Sequence, residues 1–287
     1  MNPIRSFLAK IIDYAGLFPP ASLPMAAVVP NYAEYLSGPD RDLLGRLIIP
    51  AARLGEFSDA AHQLMPRDEA SEPWRLSVLA GDDPASDAKT IVDFNSAHSR
   101  SSAPGHAVCD AVEMHARRPG DVKKSSLLFP EPMQLFFEIA ADSDPEPILR
   151  EVALHQAAAK IRTGGVTEAA FPAASRITRF IEACAALGVP FKATAGLHHL
   201  LRSDYPLTYE PDSSCATMYG YLNLFLAAAF IWKGMPKIDA TLVLQEQSLD
   251  AFDVTGDGIS WRGNRLALSD LEDSRARFAL SFGSCSF

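Results

Sequence analysis

Ala159-Lys160-Ile161-Arg162-Thr163-Gly164-Gly165 and Phe191-Lys192-Ala193-Thr194-Ala195-Gly196-Leu197-His198-His199 decide how this chain is read. Each is a strand-like run with a lysine in its middle and glycine toward its carboxyl end. One amphipathic helix, Ser175 to Leu187, lies between them. A strand, a helix and a second strand of the same kind form a crossover unit, and crossover units build parallel sheets. A lysine inside such a strand is costly to bury unless it is paired or chemically employed. Two of them on successive strands point to a pocket that holds an anion, forms an imine, or does both.

The same alternation extends outward in both directions. Upstream strands fall at Ile11–Gly16, Arg46–Pro50, Trp74–Ala80, Ala107–His115 and Met133–Ala140, and the opening pair, Ala158–Thr163 and Pro190–Ala195, is the sixth and seventh. Helices are expected at Ser22–Tyr35, Gly55–Met65, Pro84–His98 and Pro145–Gln156, with Pro30 kinking or breaking the first. An apolar helix runs from about Met218 to Trp232. Ala240–Leu244 then reads as an eighth strand, with the C-terminal tail as the other source of it. Eight such units favour a (β/α)8 barrel over an open doubly wound sheet, and no Gly-x-Gly-x-x-Gly fingerprint follows the first strand. The expected fold is therefore α/β, a single barrel domain over residues 1–287 with about 245–287 as a C-terminal appendage.

Composition narrows the partners. The 287 residues are 48% hydrophobic and 21% charged, as in ordinary globular proteins, and the formal net charge is −9. That balance argues against nucleic acid or an anionic membrane and leaves a small anionic molecule as the expected partner. Cys109, Cys184, Cys215 and Cys285 form no Cys-x-x-Cys pair, so neither a zinc knuckle nor a redox motif is indicated. No signal peptide is evident, and a reduced, cytoplasmic protein is the simplest reading. Tyr219 to Trp232 is too short to span a bilayer. Being apolar nearly all round, it is expected to be buried, either in the core or at a homo-oligomer contact. No cofactor is called for.

In a barrel, alternate strand residues point inward and the site lies at the carboxyl ends of the strands. That rule gathers Glu113 and His115, then Glu138, then Lys160 with Arg162, then Lys192 with Thr194, Gly196 and His198. Lys192 reads as an imine-forming nucleophile beside Lys160 and Arg162, or as a structural cation paired with Glu138. Lys160 and Arg162 suit a phosphate or carboxylate, and the Gly164-Gly165 amides can approach the same anion. At the end of the first strand Asp13 or Tyr14 could reach the pocket, and Tyr14 is taken as a further candidate for substrate contact. His198 and His199 are neighbours on an extended chain and point oppositely, so at most one of them faces the site. Glu113, His115, Glu138 and His198 make an alternative mixed nitrogen and oxygen set for a divalent metal, without the tight spacing of a metal motif.

Lys160-Ile161-Arg162-Thr163-Gly164 and Lys192-Ala193-Thr194-Ala195-Gly196 resemble the sixth and seventh strands of the class I deoxyribose-phosphate aldolase family. That family carries a Lys-Thr-x-Thr-Gly-like strand followed, about one βα unit later, by a Lys-Ala-x-Gly-Gly-like one. The resemblance implies a barrel lyase in which Lys160 forms the imine and Lys192 perturbs its pKa, the reverse of the roles read from the residues alone. Arg162 stands where the family has a small residue, and His198-His199 where it has a phosphate-binding glycine turn. The stretches from Tyr14 to Pro20 and from Lys192 to His199 also resemble an uncharacterised bacterial protein family, which lends no function.

Overall fold

The computed structural model describes residues 3–68, 70–99 and 105–287. Seven strands alternate with helices from the N-terminus onward: β1 (Ile12–Tyr14), β2 (Leu44–Pro50), β3 (Trp74–Leu79), β4 (Ala107–His115), β5 (Gln134–Ile139), β6 (Ala158–Arg162) and β7 (Phe191–Thr194). A short hairpin follows, β8 (Ser203–Pro206) with β9 (Cys215–Met218), and then an antiparallel sheet of β10 (Phe252–Thr255), β11 (Gly258–Trp261) and β12 (Asn264–Ala267). The last strand, β13 (Ala279–Ser284), inserts between β7 and β1 and closes an eight-stranded parallel barrel.

The (β/α)8 expectation holds, and the open choice for the eighth strand goes to the C-terminal tail. Ala240–Leu244 is not a strand. It lies in the helix Lys237–Gln245, which buries Ala240, Val243 and Leu244. Those positions are spaced three and one apart, the period of one helix face. The turn-rich stretch before the last helix forms the three-stranded sheet, and the helix Leu268–Arg277 then delivers β13. Pro30 does not break the first long helix, which runs continuously from Met25 to Ser37.

Two environments result from the alternation along each strand. Outward residues such as Leu47, Ile49, Val78, Phe137, Ile161 and Ala193 join the large core between barrel and helices. The helix Tyr221–Trp232 belongs to that core, with Leu222 through Ile231 all buried by the chain's own elements. Phe282 on β13 stacks on Tyr221 and packs against Phe225, which fixes this helix over the closing strand. Asn223, the helix's buried amide, donates to the Val243 and Glu246 carbonyls and accepts from the Arg202 amide. Among the described residues no helix is long and apolar enough to cross a membrane.

The inward face is different. Ala111, Phe136 and Ala158, with Leu280 against them, form a small apolar layer inside the barrel. Nearer the amino ends of the strands, Arg46 and Arg75 both bind Asp110. The remaining inward positions hold charged and hydroxyl side chains, and these build the site.

Candidate active site

Five ionised side chains from five strands form one alternating chain inside the barrel. Lys192 Nζ lies 2.6 Å from Asp13 Oδ2 and 2.7 Å from Glu113 Oε1. Lys160 Nζ lies 2.8 Å from Glu113 Oε2 and 2.8 Å from Glu138 Oε2. Glu113 therefore joins the two lysines, one through each carboxylate oxygen. The register explains the meeting, because Lys160 pairs with Lys192 across β6 and β7 and with Glu138 across β5 and β6.

Neutral donors complete the shell. Ser77 donates to Glu113 Oε1 and Ser281 donates to Asp13 Oδ2, both at 2.7 Å. The backbone N–H of Arg46 donates to Asp13 Oδ1 at 2.8 Å. Phe136 lies below Lys192, with its ring centroid 5.1 Å from Nζ. Asp13, Glu113, Lys160 and Lys192 are all buried, so each would be costly alone and each is met by opposite charge. Burial disfavours the Glu113 carboxylate, but the Lys160 and Lys192 ammoniums outweigh it and hold Glu113 well below the usual carboxylate range. Burial likewise disfavours the Lys160 charge, yet Glu113 and Glu138 raise it above the ordinary lysine value.

The two lysines differ in access. A cavity of about 190 Å³ opens at the carboxyl ends of the strands, and its wall includes Glu113, Lys160, Arg162, Gly165, Thr194 and His198. Ala15, Phe18, Pro19, Ile48, Leu79 and Val166 supply its apolar surface. Lys160 borders this space, whereas Lys192 is 0% exposed and does not. Glu138 stands on the far side of Lys160 and lines two adjoining hollows, one shared with Arg162 and the other with His115. Arg162 is exposed and makes no ion pair among the described residues.

Several sequence candidates lie elsewhere. Tyr14 points away from the barrel axis, packs edge-on against Tyr35 and accepts a hydrogen bond from Asn31, so it does not line the cavity. Gly164 and Gly196 are also absent from the wall. They let the loops after β6 and β7 touch, since a β-carbon on Gly196 would meet Gly164 Cα at 2.8 Å. His115 sits at the barrel rim, 74% exposed, with Nδ1 3.4 Å from Glu138. His198 faces the cavity beside Cys285 and, among the described residues, forms no ion pair with Glu113 or Glu138. The ammonium of Lys160 lies between Glu113 and Glu138, and among the described residues no group of three or more His, Cys, Asp or Glu is arranged to hold a metal ion. Lys192 pairs with Asp13 and Glu113, leaving Glu138 to Lys160.

Ser77, Ser281 and Cys285 carry no signal in the sequence that marks them as part of this site. Serine in a strand is commonplace, and its value here comes only from the carboxylates opposite. No protein-family model and no curated protein matches the chain.

Proposed function

We propose that this chain is a lyase of the imine-forming aldolase type, acting on a small anionic carbonyl compound, with Lys160 as the nucleophile. The observation that carries this reading is the unequal access of the two lysines. Lys160 meets the cavity while Lys192, linked to it through Glu113, is sealed beneath.

At rest the Lys160 amine is protonated and unreactive. It must pass a proton to Glu138, whose other oxygen faces His115 and the rim. The free amine then attacks the carbonyl carbon, and loss of water from the carbinolamine leaves an iminium that draws electrons from the neighbouring carbon–carbon bond. Lys192 stays fixed between Asp13 and Glu113, and its positive charge disfavours a second cation at Lys160. Glu113 stays ionised between the two lysines and orients Lys160 at the cavity edge, Glu138 moves protons to and from the reacting centre, and Arg162 holds the anionic group of the substrate.

A second reading has its own support. Because two carboxylates hold Lys160 as a cation, the pocket also suits a binding protein that takes a carboxylate or phosphate without covalent chemistry. Borohydride reduction in the presence of acetaldehyde, pyruvate or a sugar phosphate separates the two. The lyase reading expects a peptide-mapped adduct on Lys160 that Lys160→Met abolishes. A folded protein with no lysine adduct, yet stabilised to heat by pyruvate or the sugar phosphate, would overturn it in favour of binding.

A further inference from the structure

The mouth of the cavity holds a second nucleophile that the lysine chemistry does not use. Cys285, just past β13, has Sγ 3.7 Å from His198 Nδ1 and 3.5 Å from the Tyr209 hydroxyl. Three separate segments meet there: the end of the closing strand, the turn after β7, and the loop between β8 and β9. Cys285 and His198 border the same space as Lys160. The other cysteines differ. Cys109 and Cys184 are shut in the core, where burial pushes their thiols up, and Cys215 is exposed on the hairpin.

A thiol becomes nucleophilic by losing its proton to a nearby base. The His198 Nδ1 contact supplies the acceptor; burial, with His199 adding to it, holds His198 down to about 4, so the ring is neutral near pH 7 and relays the thiol proton without keeping it. We propose that Cys285, with His198 as its base, is a second covalent site of this cavity, and that it takes a short-chain aldehyde as a hemithioacetal. The thiol proton passes to His198, sulfur bonds to the aldehyde carbon as the carbonyl π bond opens, and the oxygen takes the proton back. Nothing is oxidised or reduced and no group leaves. Tyr209, facing the same sulfur, is a positioning residue. The cavity's size admits a molecule of few carbons, and aldehydes add thiols more readily than ketones. Lys160 takes no part, so this inference stands apart from the imine reading.

Alkylation of the full chain by iodoacetamide near pH 7, followed site by site by mass spectrometry, tests it. Cys285 is expected to react faster than exposed Cys215 despite its burial, and His198→Asn to slow it at least about tenfold. Acetaldehyde, used as the probe, is expected to protect Cys285 reversibly in the wild type and in Lys160→Met alike. Cys285 reacting no faster than Cys215, an unchanged rate in His198→Asn, or labelling unaffected by acetaldehyde would each overturn it. Protection kept in Lys160→Met separates this outcome from failure of the imine reading.

Discussion

Glu113 is the residue on which the interior depends most, since both lysines and Ser77 converge on its two oxygens. Removing its charge leaves Lys160 with Glu138 alone and Lys192 with Asp13 alone. Breaking a buried pair from one side typically costs about 3–5 kcal/mol, and here each lysine loses one of its two carboxylate partners but keeps the other, which places the loss toward the lower end. Glu113→Gln is therefore expected to lose stability of that order in urea unfolding. The matched control is Glu56→Gln at the exposed Arg53–Glu56 pair, where solvent screens the charges and little loss is expected. Equal losses in the two variants would show that burial does not govern the network. Part of this residue-level picture is legible from sequence, because a lysine in mid-strand signals its own cost and an inward face gathers the acids. Asp13 is harder to see. It lies in a three-residue strand too short to show a period, and it meets Lys192 across 179 residues of chain.

At the level of elements, strand and helix order is readable wherever a run is long enough to show its period. β4 falls on its expected range, and β3, β6 and β7 fall within a residue or so of theirs. Ala240–Leu244 fails because a five-residue apolar run fits either period, and only the burial of Ala240, Val243 and Leu244 identifies the helix. The closing strand hides for a related reason. Ala279–Ser284 mixes alanine, serine and glycine, which have weak strand preference, and takes its place from neighbours β1 and β7. The contact between the loops after β6 and β7 is likewise tertiary. Thr163 donates through its amide to the Thr194 carbonyl and through its hydroxyl to the Ala195 carbonyl, which draws Gly164 and Gly196 together. Gly196 has φ +76° and abuts backbone, so Gly196→Ala combines strain with a clash that a side-chain shift cannot relieve. A loss of about 1–3 kcal/mol is expected in urea unfolding. A variant as stable as the wild type would show that the two loops do not need this close approach.

For the molecule as a whole, the barrel is closed around ion pairs where layers of branched aliphatic side chains are the usual filling. Its stability must then follow pH, with a sign set by each group. Glu113 has a folded value below its unfolded one. Its contribution is full above the ordinary carboxylate range and is lost as pH falls through that range toward the lowered folded value. Lys160 acts in the opposite sense, with a contribution that is full below its ordinary value of 10.5 and lost as pH rises through the raised one. Between those limits the network is intact. Exposed pairs are screened by salt and add little, whereas this buried set is screened far less. Urea unfolding of the wild type and Glu113→Gln, followed from pH 7 down to about pH 3, isolates the term. The stability gap between them is expected to hold steady near neutrality. It should then shrink by about 1.4 kcal/mol per pH unit once the medium is more acidic than the ordinary carboxylate value. The narrowing is expected to persist at high salt. A gap that stays constant into acid would mean that the Glu113 charge contributes nothing to holding the barrel closed.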